Sequence, residues 1–233
     1  MEHPFGEIVE TKIKIISMDK YPNEICGFVM NDEFVEMENK AEDTIKDFRI
    51  DEKEYIRNKK NIQAIIHSHC DYPHLSKTDM QQQIATALPW GVAFLQKGYY
   101  EGMMYFGDQV EPYPLKERQF VHGAWDCYGL LRDYHKIHKG VTIPIYPRDN
   151  KWWETSPSML KDNCEAAGFK YIDESEAVEG DVFFMMLRSK VVNHCGIYLG
   201  GEKILHHLYG ALSREDQIGR WRKYITDFLR YKG

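Results

Sequence analysis

The sequence predicts an α+β protein of two domains, and three observations carry that expectation. In the first half, apolar runs such as Ile62–Ile66 with strand character alternate with stretches of helical pattern. A polar segment punctuated by Pro112 and Pro114 then interrupts both patterns. The second half opens with an amphipathic helical stretch and continues as short apolar runs parted by glycine turns, the order of a helix followed by an antiparallel sheet. This places an α/β sheet domain at 1–108, a linker at 109–117 and a helix-then-sheet α+β domain at 118–233.

Composition narrows the function classes. A chain of 233 residues with 43% hydrophobic content can bury one or two cores. A net charge of -6 without a basic run argues against nucleic acid as a partner. No apolar stretch approaches the roughly 18 residues of a membrane span, and no apolar run follows a basic flank near the start, so no secretory leader is expected. Five cysteines (Cys26, Cys70, Cys127, Cys164 and Cys195) are an odd, scattered set rather than a disulfide framework, which suits a reducing compartment.

In the first half, Glu7–Asp19 fits a helix, although its Ile-rich part fits a strand nearly as well. Tyr21-Pro22 breaks it. Ile25–Met30 and Glu33–Glu38 read as strands joined by Asn31-Asp32, Asp51–Lys60 as a polar-faced helix, and Ile62–His69 as a strong strand. Alternate residues of a strand share a face, so His67 and His69 project together. Ser76 precedes a helix expected over Lys77–Leu88 and stopped by Pro89, with Asp79 in its first turn. Two histidines and a carboxylate leaving a fourth position open are what catalytic zinc requires. Ser76-Lys-Thr-Asp79 reads equally as a capping box, and the two readings are compatible. Gly91–Gln96 and Gly102–Phe106 complete this half as strands.

In the second half, Asp126 directly precedes Cys127, which begins a helical pattern to Lys139 carried by Leu130, Leu131, Tyr134 and Ile137. A cysteine there lies at a helix N-terminus, where unpaired N–H groups and the macrodipole favour a thiolate. A free cysteine is more often inert packing, so its company decides. Gly140–Trp153 reads as a loop. Ser156 or Ser158 caps a helix running to Ala167, with Gly168 beyond its end, and Phe169–Ile172 extends. Val182–Leu187, Asn193–Leu199 and Lys203–His207 read as strands, the last two a hairpin at Gly200-Gly201. That hairpin sets His194 and His206 on neighbouring strands as candidate partners for a nucleophile.

Two resemblances follow. His67-x-His69, Ser76-x-x-Asp79 and Pro22-x-Glu24-x-Cys26-Gly27 resemble the JAMM (JAB1/MPN/Mov34) metallopeptidase motif, over about residues 5–108. The resemblance implies Zn2+ held by His67, His69 and Asp79, with Glu24 as general base and Ser76 supporting the oxyanion, in hydrolysis of amide or isopeptide bonds. The chain departs from that pattern at Cys70, where the family has proline, and in a His69–Ser76 loop one residue short; Cys70 is then a candidate adventitious ligand at such a site. Asp126-Cys127-x-Gly129, Gly180-Asp181-Val182, Asn193–Gly200 and Ile204-Leu205-His206 resemble the NlpC/P60 papain-like cysteine peptidases, over about residues 115–215. This implies Cys127 as nucleophile, His194 as base and then acid, His206 as the orienting residue, and the Cys127 N–H in the oxyanion hole. The implied substrate is bacterial peptidoglycan, cut in its stem peptides at the γ-D-glutamyl–diamino-acid bond. Tyr128 and Phe120 stand where that family has serine and tyrosine, which bears on substrate preference.

The succession of the two domains resembles a family of tail-assembly proteins of long-tailed phages, as does the ending Leu212–Asp216 followed by Gly219-Arg-Trp221-Arg. It implies other tail-tip and assembly proteins as partners, synthesis in the bacterial host cytoplasm, and a place in the virion tail acting at the cell wall. The competing expectation is a structural assembly factor that keeps degenerate peptidase folds as docking modules.

Overall fold

In a computed structural model, residues 4–155 and 158–233 are described. The chain forms two compact units, one of residues up to 74 together with 81–111, the other of residues 75–80 together with 112–233.

The first unit carries α1 (Glu7–Lys20), β1 (Cys26–Met30), β2 (Glu33–Met37), α2 (Glu52–Asn58), β3 (Ala64–Cys70), α3 (Lys77–Thr86, whose first residues count with the second unit), β4 (Trp90–Gln96) and β5 (Tyr99–Phe106). The sheet order is β2-β1-β3-β4-β5. Only β3 and β4 are parallel, and parallel neighbours need a crossover, which α3 supplies. Of its two readings, the first segment takes the helix: Val9, Ile13 and Ser17, four apart, form one buried face. Val9 and Ile13 pack on Ala64, Ile66, Ala93 and Tyr105. Asn31 and Asp32 both have positive φ (51° and 58°), the backbone that a two-residue hairpin turn demands. β3 is buried at all seven positions, so its apolar run leads without alternation into buried His67 and His69. α3 ends at Thr86, two residues before the expected Leu88, because Ala87 turns left-handed (φ 53°) ahead of Pro89. β5 begins at Tyr99 rather than Gly102; a register shift opposite Phe94/Leu95 lets pairing continue past that glycine.

The second unit carries α4 (Cys127–Lys139), α5 (Met159–Asn163), β6 (Phe169–Ile172), β7 (Val182–Met185), β8 (His194–Gly200), β9 (Lys203–His206), β10 (Arg214–Gln217) and β11 (Ile225–Tyr231). Its sheet runs β10-β9-β8-β7-β11-β6, every pairing antiparallel. Leu130, Leu131 and Tyr134 of α4 pack on Val182, Phe184, Cys195, Ile197 and Leu205. On the opposite face Phe183, Met185, Ile204, Ile218 and Phe228 form another core cluster. β7 is therefore buried on both sides, which is why its sequence does not alternate.

Two strands were not expected. β10 reads Arg-Glu-Asp-Gln, a polar edge without an apolar period, and β11 returns from the end of the chain to lie between β7 and β6. α5 stops at Asn163 instead of Ala167, and the chain turns before Gly168 (φ 88°). Ser158 caps α5 by accepting from the Lys161 N–H at 3.4 Å; Ser156, the other candidate, lies outside the described residues. Among the described residues no helix is long and apolar enough to cross a membrane.

Gly129 lets the start of α4 close on the preceding turn. A Cβ at that position would sit 1.6 Å from the Ala124 carbonyl oxygen, which is backbone and cannot move aside. Gly129→Ala is expected to destabilise the second unit by about 3 kcal/mol, the upper range for overpacking. A urea or thermal melt measures it, and a melt within ~0.5 kcal/mol of the parent would contradict the packing described.

Candidate active sites

Cys127 is the first residue of α4, half-buried, and Asp126 is the N-cap. The Asp126 side chain accepts from the Gly129 and Gly123 N–H groups, both at 2.9 Å, and from the Arg148 guanidinium. Burial alone would raise the Asp126 carboxyl; Arg148, His122 and the two N–H groups more than offset it and hold it well below the usual carboxylate range. The acid beside Cys127 is thus ionised but neutralised by a buried arginine. The Cys127 thiol is lowered well below its ordinary value. The first cause is a hydrogen bond from the Cys195 thiol; burial opposes it, and the neighbouring His194 adds to the lowering. Cys195, on β8, is itself pushed up by burial and so keeps the proton it donates.

His194 opens β8, and its Nε2 lies 3.2 Å from His206 Nδ1 on β9. Both rings are buried and meet edge to face at 5.3 Å. The hairpin pairs Gly196 with His206, which holds the two histidines side by side. Burial lowers His206 to about 4, with His194 as a further cause. The other ring nitrogen of His206, Nε2, lies 3.1 Å from Asp216 Oδ2 on β10. Cys127, His194 and His206 are therefore brought together as the spacing suggested.

Asp216 and Arg148 escaped the sequence reading. The strand carrying Asp216 has no apolar signal, and Arg148 sits in a loop where only its burial distinguishes it. His122 and His207 take no part in the chain: His122 Nε2 is 3.3 Å from the Arg148 carbonyl, and His207 donates to the Ala211 carbonyl at 3.1 Å.

Cys127 and His194 line a cleft of about 740 Å³, with Phe120, Trp152, Trp153 and Tyr209 among its walls. Phe120 packs against His207 and Tyr209. Tyr128 is buried and donates to the Pro144 carbonyl at 2.8 Å, with Arg148 over its ring.

In the first half of the chain, His67, His69 and Asp79 offer ligand atoms that all lie within 4.8 Å of one another. His67 Nε2 and His69 Nε2 are 3.0 Å apart. His69 Nδ1 meets the His74 carbonyl at 2.7 Å, and a carbonyl only accepts, so Nδ1 carries the proton and Nε2 presents its lone pair. Ser76 and Asp79 form the reciprocal cap as well: the Asp79 N–H donates to Ser76 Oγ at 3.0 Å and the Ser76 N–H to Asp79 Oδ2 at 2.7 Å. Glu24, buried just before β1, accepts from the Tyr72 hydroxyl, whose ring stacks on His69 at 4.3 Å. Cys70 is not part of this cluster; its thiol faces the Asn23 carbonyl and is pushed up to about 11 by burial.

The lowered thiol has a direct consequence. Cys127 is expected to be alkylated by iodoacetamide ahead of Cys26, Cys70, Cys164 and Cys195, at a pH below the ordinary thiol value of about 8.5. His194→Ala is expected to slow Cys127 at least about tenfold. Peptide mass mapping after timed labelling reads both, and indifference of Cys127 to His194 would contradict the coupling.

The NlpC/P60 family model matches residues 116–230. Over 223 residues the chain is 34% identical to "Tail tip assembly protein K" of Escherichia phage N15, spanning 91% of this chain and 90% of that protein. Over 173 residues it is 34% identical to "Tail tip assembly protein K" of Escherichia phage lambda, spanning 73% and 82%. A crystal structure from Staphylococcus aureus subsp. aureus Mu50, described as similar to a lipoprotein of the NLP/P60 family, overlaps 51% of this chain and 38% of that one, at 20% identity and a TM-score of 0.36. By the phage relatives and the family match, this chain belongs to the tail tip assembly protein K family, with an NlpC/P60 domain over residues 116–230.

Proposed function

We propose that this chain is a phage tail-tip assembly protein whose second unit is a cysteine peptidase acting on peptidoglycan stem peptides. The single observation that carries the peptidase reading is the Cys127–His194–His206 chain in an open cleft, with a lowered thiol at its head. The names of the phage relatives support the tail-tip setting, with other tail-tip and assembly proteins as partners.

With His194 Nε2 engaged by His206, Nδ1 is the ring atom left to take the thiol proton. The Cys127 sulfur attacks the peptide carbonyl, and the oxyanion forms at the α4 N-terminus, where the Cys127 N–H and the helix dipole favour negative charge. His194 then gives its proton to the leaving amine, and water, deprotonated by the same ring, hydrolyses the thioester. The bond cleaved is the γ-D-glutamyl–diamino-acid amide, as the family resemblance implies. A purely structural assembly factor would have no use for a lowered thiol facing a histidine pair, and this favours the enzyme over the docking-module alternative.

The test is digestion of purified peptidoglycan with product analysis. Wild-type chain is expected to release stem-peptide fragments, Cys127→Ala none, and His194→Ala at least about a hundredfold less. A thiol reagent should stop release and a chelator should not. Identical products from wild type and Cys127→Ala would overturn the reading.

For the first half of the chain we propose a JAMM-type zinc peptidase site that processes another tail protein. His67 and His69 fit a metal because one ring already presents a lone pair toward the other, and Asp79 adds a carboxylate within the same 4.8 Å cluster. Bound Zn2+ would supply Lewis-acid polarisation and an activated water. Glu24, which accepts from the Tyr72 hydroxyl, would be the general base, and Ser76, whose Oγ accepts in the cap, still has its hydroxyl proton to offer an oxyanion. Metal analysis of purified chain is expected to find about one zinc ion per molecule, lost in His67→Ala with the fold retained by circular dichroism. No zinc in either protein would overturn it.

A further inference from the structure

The roles proposed so far leave Asp216 unused. β10 pairs with β9 so that Arg214 lies opposite His206, and Asp216, two residues on, shares that face. One carboxylate oxygen, Oδ2, gathers three donors: His206 Nε2 at 3.1 Å, Trp221 Nε1 at 3.1 Å and Arg214 Nε at 3.2 Å. Trp221 also packs edge-on against the His206 ring at 4.9 Å.

Donor and acceptor logic runs outward from that oxygen. Asp216 is held below the usual carboxylate range by His206 and Arg214 in spite of its partial burial, so it is ionised and only accepts. His206 Nε2 must therefore carry a hydrogen. Burial keeps His206 to one proton, so its Nδ1 is a bare lone pair. That lone pair lies 3.2 Å from His194 Nε2, which must then be the donor. A neutral His194 with its proton on Nε2 has a bare Nδ1. We propose that Asp216 is a positioning residue that sets the tautomer of both histidines, so that Cys127 faces a ring nitrogen able to accept its proton. The catalytic consequence rests on the peptidase reading; the tautomers do not.

Asp216→Leu is the discriminating variant, since an amide oxygen in the place of Oδ2 would still serve all three donors. Without that acceptor a hydrogen on His206 Nε2 is buried and unpaired, which costs more than an unpaired lone pair, so the proton of His206 moves to Nδ1 and that of His194 to the nitrogen facing Cys127.

The expected results, on the full chain, are these. Nitrogen-15 NMR of the imidazoles, in a Cys127→Ala background so that no thiol proton is shared with His194, shows both rings protonated at Nε2 alone, and at Nδ1 when Asp216→Leu is added. In Asp216→Leu alone, alkylation of Cys127 slows. On stem peptides, kcat falls about a hundredfold while KM holds, the signature of a lost general base. In the Cys127→Ala background, rings already protonated at Nδ1 with Asp216 in place would overturn the proposal, and that spectrum decides the matter even if the Asp216→Leu variant does not fold. A variant that only melts earlier, with tautomers and kcat intact, would also overturn it, while leaving the peptidase reading standing. Conversely, tautomers and alkylation that respond as stated in a chain that cuts no peptide would uphold Asp216 and sink the peptidase reading.

Discussion

The Asp126 carboxylate accepts from two backbone N–H groups and from a buried arginine, and in doing so it fixes where α4 begins. Much of the second unit depends on that start. A helix begun one residue earlier or later would turn Cys127 away from His194 and take Leu130, Leu131 and Tyr134 off the sheet that they cover. The cap also resolves an electrostatic conflict. An anion next to a nucleophilic thiol discourages thiolate formation, and Asp126 does raise Cys127 somewhat. Pairing the acid with Arg148 keeps the cap while cancelling most of its charge.

The sheet of that unit is arranged around a second constraint. With apolar clusters on both faces, its central strands are held from two sides. The histidines occupy one end of this framework, His194 at the first residue of β8 and His206 at the last of β9. Their ring-to-ring contact is therefore inherited from strand register, the more rigid kind of support. The flanking side chain is aromatic and close, with Trp221 edge-on against His206 at 4.9 Å.

In the first unit, β3 and β4 pair in parallel, and parallel pairing obliges a helix to cross over between them. His67 and His69 lie on one face of β3, while Ser68 between them faces away and accepts the Ile25 N–H at 2.9 Å. Strand alternation thus separates the polar cluster from a structural hydrogen bond in three consecutive residues.

Several features were legible in the amino-acid order because they are local. The i, i+2 rule paired His67 with His69, an acidic residue before a helical stripe marked the α4 cap, and the order of helix and hairpin set Cys127, His194 and His206 on neighbouring elements. Other features were decided only by tertiary structure. β10 is four polar residues that become a strand solely by pairing with β9, and β11 threads between strands far from it in sequence, so no periodicity announces either. Asp216 rides on β10, and one of its oxygens meets His206 only because of that edge pairing. Arg148 stands 22 residues from Asp126, and its importance comes from burial that no single-residue pattern encodes. The sequence by itself determined which residue types could do chemistry and where helices and turns begin, since capping and side-chain alternation act over a few residues. The tertiary structure decided which of those groups share a charge or a proton, since that depends on strand register and burial contributed from across the chain.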